Sequence, residues 1–205
     1  MDYKKKFEEG ISYERYMQEM LRFKTEGKSS SFNQKVGYAE YTSLSYHRMK
    51  RLNKTLKLSE SLGEKLDELK TPIHMLAITE SWCGDAAQNL PLFDLLSSYS
   101  DQLNLKLVYR EENLDLMDEH LTDGGRSIPV VIFLDDNFQR VAQWGPRPRP
   151  IQEFVKDYKS RPEPKEAYEE FQKKTQQLYN HDGGKTLSLE IENIIDQLLS
   201  RNCTV

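Results

Sequence analysis

Cys83 stands in Trp82-Cys83-Gly84-Asp85-Ala86, the stretch of this chain whose residue types and spacing can do chemistry. Residues 73–79 ahead of it are nearly all apolar and read as a buried strand, and residues from about 84 to 98 read as an amphipathic helix. A thiol at a strand-to-helix junction faces unpaired backbone N–H groups and the positive end of the helix dipole. Both favour the thiolate, the nucleophilic form. Ala86 occupies the position where a second cysteine would complete Cys-x-x-Cys, so the segment is half of a dithiol redox motif. A mixed disulfide formed on Cys83 then needs a thiol from elsewhere to release it: a small thiol, a partner protein or Cys203. The opposing reading is an inert, small core residue, the ordinary fate of a single cysteine.

The neighbours carry the same two-sidedness. Asp85 falls in the first helical turn, where an acid stabilises the dipole, yet its charge opposes a thiolate beside it. Glu80 is a second source of repulsion. Trp82 is either a packing residue or a flat partner for substrate. Arg126 either supports a thiolate or an acidic ligand, or is a surface arginine. His47, Arg48, Lys50, Arg51 and Lys54 form a basic run that reads as a solvated helix face. The four histidines show no metal-ligand spacing with either cysteine, so neither a metal nor another cofactor is expected.

Several elements must position these groups. Residues 4–26 have a charged, helical pattern, and Gly27 to Ser31 reads as a loop. A second helix is expected over about 37–53. A third is signalled by Ser61-x-x-Glu64, a capping box, with Leu62, Leu66 and Leu69 as its stripe, ending at Thr71-Pro72. Strands follow at 73–79, 103–109, 130–134 and 138–144, with helices at 84–98 and 113–121 between them. Asp135-Asp136-Asn137 marks a hairpin between the last two strands. Alternation of strand and helix predicts parallel pairing, and the hairpin predicts one antiparallel addition. Helices are expected again at 151–159, 165–179 and 188–200. The fold class is therefore α/β: a mixed sheet of about four strands, helices on both faces, and helical extensions at both termini.

Trp82-Cys83-Gly84 resembles the start of the thioredoxin active-site motif. Pro91 falls where thioredoxins often have a proline in the first active-site helix. Gly124-Gly125-Arg126-Ser127-Ile128-Pro129-Val130 resembles the loop bearing the family's cis-proline, and Gly145 matches the glycine after the last strand. The resemblance covers roughly residues 59–160, and the length suggests the bacterial thioredoxin-family proteins with helical additions. It implies a thioredoxin-like domain at 59–160, flanked by extensions at 1–58 and 161–205. It also implies a cis Ile128–Pro129 bond beside Cys83, with the Ile128 backbone free to pair with an extended peptide. The chain departs from the pattern at Asp85, at Ala86, and at Ala77, where thioredoxins bury a proton-accepting acid.

The formal charge of −4 over 205 residues argues against a general nucleic-acid binder. No apolar run reaches membrane-span length, the basic start lacks the apolar stretch of a secretory signal, and two cysteines fit a reducing cytoplasm. The expected activity is monothiol thiol–disulfide exchange on mixed disulfides or oxidised protein thiols, with Cys83 as nucleophile. Trp82, Gly84, Asp85, Arg126, Ile128 and Pro129 would contact a thiol- or disulfide-bearing protein or small thiol. The alternatives are a non-catalytic binding module that keeps the peptide groove, and an adaptor working through its helical ends.

Overall fold

Strand-forming residues are concentrated between 73 and 144, and the chain there builds one sheet with helices around it. The structure, a computed structural model, describes residues 1–202. In chain order the elements are α1 (Tyr3–Glu9), α2 (Tyr13–Glu26), α3 (Tyr38–Thr55), α4 (Glu60–Asp67), β1 (Ile73–Thr79), α5 (Gly84–Tyr99), β2 (Leu103–Tyr109), α6 (Leu114–Asp118), β3 (Val130–Leu134), β4 (Arg140–Trp144), α7 (Arg149–Ser160), α8 (Tyr168–Asp182) and α9 (Lys185–Asn202).

The sheet has four strands in the order β2-β1-β3-β4. β1 pairs in parallel with β2 and antiparallel with β3, and β3 pairs antiparallel with β4. Every residue of β1 except His74 is buried, as an interior strand covered on both faces requires. Alternation of strand and helix predicted more parallel pairing than this. Only the β1-α5-β2 unit has a full crossover helix. The passage from β2 to β3 holds only the five-residue α6, and β3 enters beside β1 in the opposite sense.

Other boundaries also differ from the sequence reading. The helical pattern over 4–26 is broken at Gly10. Ile11 bridges to Leu107 on the free edge of β2, with N–H to O and O to N–H contacts both at 2.9 Å. Ser12 then restarts the helix, its hydroxyl accepting from the Arg15 N–H. The third helix starts earlier than the expected capping box. Ser59 caps it by accepting from the Leu62 N–H, while Ser61 donates instead to Glu192 on α9 at 2.6 Å. The last strand begins at Arg140, because Phe138 belongs to the hairpin turn with φ at 59°. α6 is shorter than 113–121. α8 starts three residues later than expected, after the coil containing Pro162 and Pro164, and α9 starts three residues earlier.

The hydrophobic core joins the sheet to both ends of the chain. Met75, Leu76 and Ile78 of β1, Leu90 and Phe93 of α5, and Ile132 and Phe133 of β3 are fully buried. Tyr16 and Met20 of α2, Met49 of α3, and Ile191 and Ile195 of α9 belong to the same cluster. Each such side chain removes apolar surface worth about 1.5–3 kcal/mol. Among the described residues, no helix is long and apolar enough to cross a membrane.

Candidate functional site

β1 ends at Thr79, and the next four residues turn the chain into α5. Cys83 is the N-cap of that helix: its Sγ accepts from the Ala86 N–H at 3.3 Å. The thiol in turn donates to the carbonyl oxygen of Ile128 at 3.4 Å. The Ile128–Pro129 peptide bond is cis. The two loops quoted in the sequence reading, 82–86 and 124–130, therefore meet at Cys83 and Ile128. Gly145 is part of this meeting. It has φ at 127°, and a Cβ there would fall 2.3 Å from the Pro129 carbonyl oxygen, so only glycine lets the end of β4 approach the proline loop.

Cys83 is 6% exposed. Burial pushes its thiol up to about 12, and the charge of Asp85 adds to the rise. The Ala86 N–H and the Arg147 guanidinium work in the opposite direction and lose. Burial thus outweighs the helix terminus that favoured the thiolate in the sequence reading.

Asp85 is held by two groups that sequence spacing does not associate with it. Arg147 Nη2 lies 2.6 Å from Asp85 Oδ2, in a pair that is 14% exposed on each side, and Tyr179 OH donates to Asp85 Oδ1 at 2.9 Å. Asn89, one turn along α5, donates to the Asp85 carbonyl at 2.7 Å and to Tyr179 OH at 3.1 Å. Gly84 faces Gln176 of α8 and Arg48 of α3, whose nitrogens are 3.4 and 3.6 Å from the place of a Cβ. Arg48 is held below its ordinary value by burial and by neighbouring Arg51. The basic run of α3 is therefore divided. Arg48 turns toward the thiol loop, and Arg51 donates to Asn180 of α8 at 3.2 Å.

Trp82 stacks on Tyr38 at 4.5 Å between centroids, and the Arg110 guanidinium lies 5.1 Å from its ring. Arg126 points elsewhere. It forms a bidentate pair with Asp118, at 2.6 and 2.8 Å, and is half exposed. Glu80 is fully buried behind the loop, where burial raises its carboxyl above the usual range. It accepts from the Ser30 hydroxyl and from the Glu111 N–H at 2.9 Å, and its carbonyl accepts from Tyr16 OH at 3.2 Å. Ser81 exchanges hydrogen bonds with Ser30 and lies 3.0 Å from the Thr42 hydroxyl. The residues before Cys83 are thus clamped to the 29–31 loop and to α3. Cys203 lies outside the described residues. Among those described, no group of three His, Cys, Asp or Glu side chains is placed to hold a metal ion.

A mixed four-stranded sheet with a thiol at the start of its central crossover helix, facing a proline loop, is the architecture of the thioredoxin-like proteins. A family model described as thioredoxin matches residues 30–159, and the chain belongs to that family. Two solved structures share the fold. A protein of unknown function from Pseudomonas aeruginosa is 17% identical, with 98% of this chain and 99% of that one covered at a TM-score of 0.64. An HIV epitope-scaffold is 16% identical, with 98% and 96% covered at 0.58. No curated protein matches the chain.

Proposed function

We propose that the chain carries out monothiol thiol–disulfide exchange in the cytoplasm, with Cys83 as nucleophile toward a mixed disulfide or an oxidised protein thiol. The observation that supports this reading most is the position of the Cys83 Sγ, at the start of α5 and 3.4 Å from the Ile128 carbonyl. A substrate chain laid along residue 128 would bring its sulfur to that thiol. The Cys83 sulfur, deprotonated, attacks one sulfur of the substrate disulfide; a new S–S bond forms and the other sulfur leaves as a thiolate. A small external thiol then attacks the substrate-side sulfur of the mixed disulfide. Cys83 is released as thiolate, and the substrate departs as a disulfide with the small thiol. Ala86 offers no internal second attack, so one external thiol enters each turn of the cycle, and its proton passes to the substrate thiolate that left in the first step.

A second reading, a non-catalytic peptide-binding module, is favoured by one observation: the thiol is buried and pushed up to about 12. The deciding assay is turnover of a glutathionylated peptide under a coupled thiol reductant. Wild type turns over, Cys83→Ser does not, and Cys203→Ser retains nearly full rate. Equal background rates for wild type and Cys83→Ser would replace exchange with the binding module.

A further inference from the structure

The first turn of α5, which carries Cys83, lies beneath α8. Gln176 sits over Gly84 and accepts from Gln88 Nε2 at 2.9 Å, and Tyr179 bonds to Asp85 and Asn89. Tyr41 OH donates to Gln172 at 3.1 Å and Arg51 to Asn180 at 3.2 Å, tying the same helix to α3. The side of α8 that meets the site is therefore Gln172, Gln176, Tyr179 and Asn180, a polar stripe.

α9 is attached by different forces. It buries Leu187, Ile191, Ile195 and Leu198, all in the main core cluster. The buried aromatics of α8, Phe171 and Tyr179, stand outside that cluster, and Phe171 packs its ring on Tyr168 of its own helix and on Phe154 and Tyr158 of α7. Toward the site α8 is held by hydrogen bonds, each worth only about 0.5–1.5 kcal/mol net, and its aromatic stacking is with α7, so α8 leaves the site more readily than α9 leaves the core.

α8 has a turn at each end, the later one crossed by the Thr186 N–H, which donates to Asp182 at 3.2 Å. It is preceded by a coil over 161–167 and followed by Gly183 and Gly184, with φ of 62° and 84°; a Cβ on Gly183 would meet no atom within 4 Å. A cleft of about 340 Å³, open to solvent, lies at the C-terminal end of α8 between α3 and the glycine pair, lined among others by Arg51, Leu56, Tyr179, Asn180, Gly183 and Leu187.

We propose that α8 is a lid over the Cys83 site, turning about Gly183–Gly184 and the 161–167 coil to admit a disulfide-bearing peptide while α9 stays docked on the core. The proposal rests on Cys83 being the nucleophile and supplies what that reading lacks, a route by which a 6%-exposed thiol meets its substrate. The occupant is an extended polypeptide: opening α8 would uncover the Ile128 carbonyl, now holding the Cys83 thiol, for a strand-like hydrogen bond from a peptide N–H.

The test uses the full chain and no substrate. Iodoacetamide labelling of Cys83 is followed by peptide mass spectrometry, beside amide hydrogen exchange of α8 and α9. Relative to wild type, Gln172→Ala, Gln176→Ala and Asn180→Ala combined should label at Cys83 roughly tenfold faster or more. Exchange should rise in α8 and stay constant in α9. Unchanged labelling, or labelling that rises only together with α9 exchange, overturns the lid. Because labelling needs no disulfide turnover, loss of the lid and loss of the exchange reading appear as separate results.

Discussion

Burial sets most of the rise in the Cys83 thiol, and two opposed charges adjust it. Asp85 raises Cys83 and Arg147 lowers it, and the two are paired to each other at 2.6 Å. Asp85→Asn removes the repulsion and leaves Arg147 facing the sulfur, so thiol titration followed at 240 nm should move down. Arg147→Met does the reverse, and labelling at fixed pH should slow. Both variants break a largely buried pair, and each should lose about 3 kcal/mol in chemical denaturation. A second carboxyl, Asp94 on α5, is pushed up to about 6 by burial. Its folded form binds the proton more tightly than the unfolded chain does. Its contribution is therefore fully present below about pH 4, is lost as pH rises to about 6, and stays lost above. Asp94→Asn should be more stable than wild type at pH 7, by on the order of 2 kcal/mol, with the difference vanishing near pH 4. The repulsion from Asp85 was legible from its place beside Cys83, but neither its pairing partner nor the Asp94 shift was. Asp85 reads as a helix-dipole acid until Arg147, sixty-two positions away, is placed against it.

Elements were legible in kind more than in limits. The periodicity of Leu62, Leu66 and Leu69 identifies α4, but two serines compete to cap it. Ser59 does so, and Ser61 spends its hydroxyl on Glu192. Ser59→Ala should cost about 1 kcal/mol and lower the helicity of 60–67, whereas Ser61→Ala should cost about half as much or less, because Ser61 is exposed and Glu192 keeps its pair with Lys65. Denaturation midpoints of the two variants check this, and equal losses would move the cap. The break at Gly10 was hidden for a related reason. A continuous helical pattern runs through it, and only the free edge of β2 draws Ile11 out to bridge Leu107.

At the scale of the whole chain, the extensions take part in the core. Tyr16, Met20 and Met49 lie in the same buried cluster as β1, and Glu80, Ser81 and Trp82 are clamped by Ser30, Thr42 and Tyr38. We propose that the division into 1–58, 59–160 and 161–205 marks layers of sequence and not units that fold alone. A chain of 59–205 should then lose cooperative thermal unfolding and expose the α5 and β2 faces to dye binding. A sharp transition near that of the full chain would restore an independent central domain.

The central strand, the α/β class, the hairpin and the thiol at a helix start follow from local rules: apolar runs demand burial, turn residues punctuate, and side-chain direction repeats with the element. The meeting of residues 83 and 128 was reachable too, through the resemblance of two short motifs. What covers and charges the thiol was not. Arg48, Arg147, Gln176 and Tyr179 come from two separate helices and a loop, and no local signal marks them. Burial decides the state of the sulfur, and burial belongs to the packed molecule: it raises the thiol to about 12, while Gln176 and Tyr179, more than ninety positions from Cys83, hold α8 against the helix that bears it.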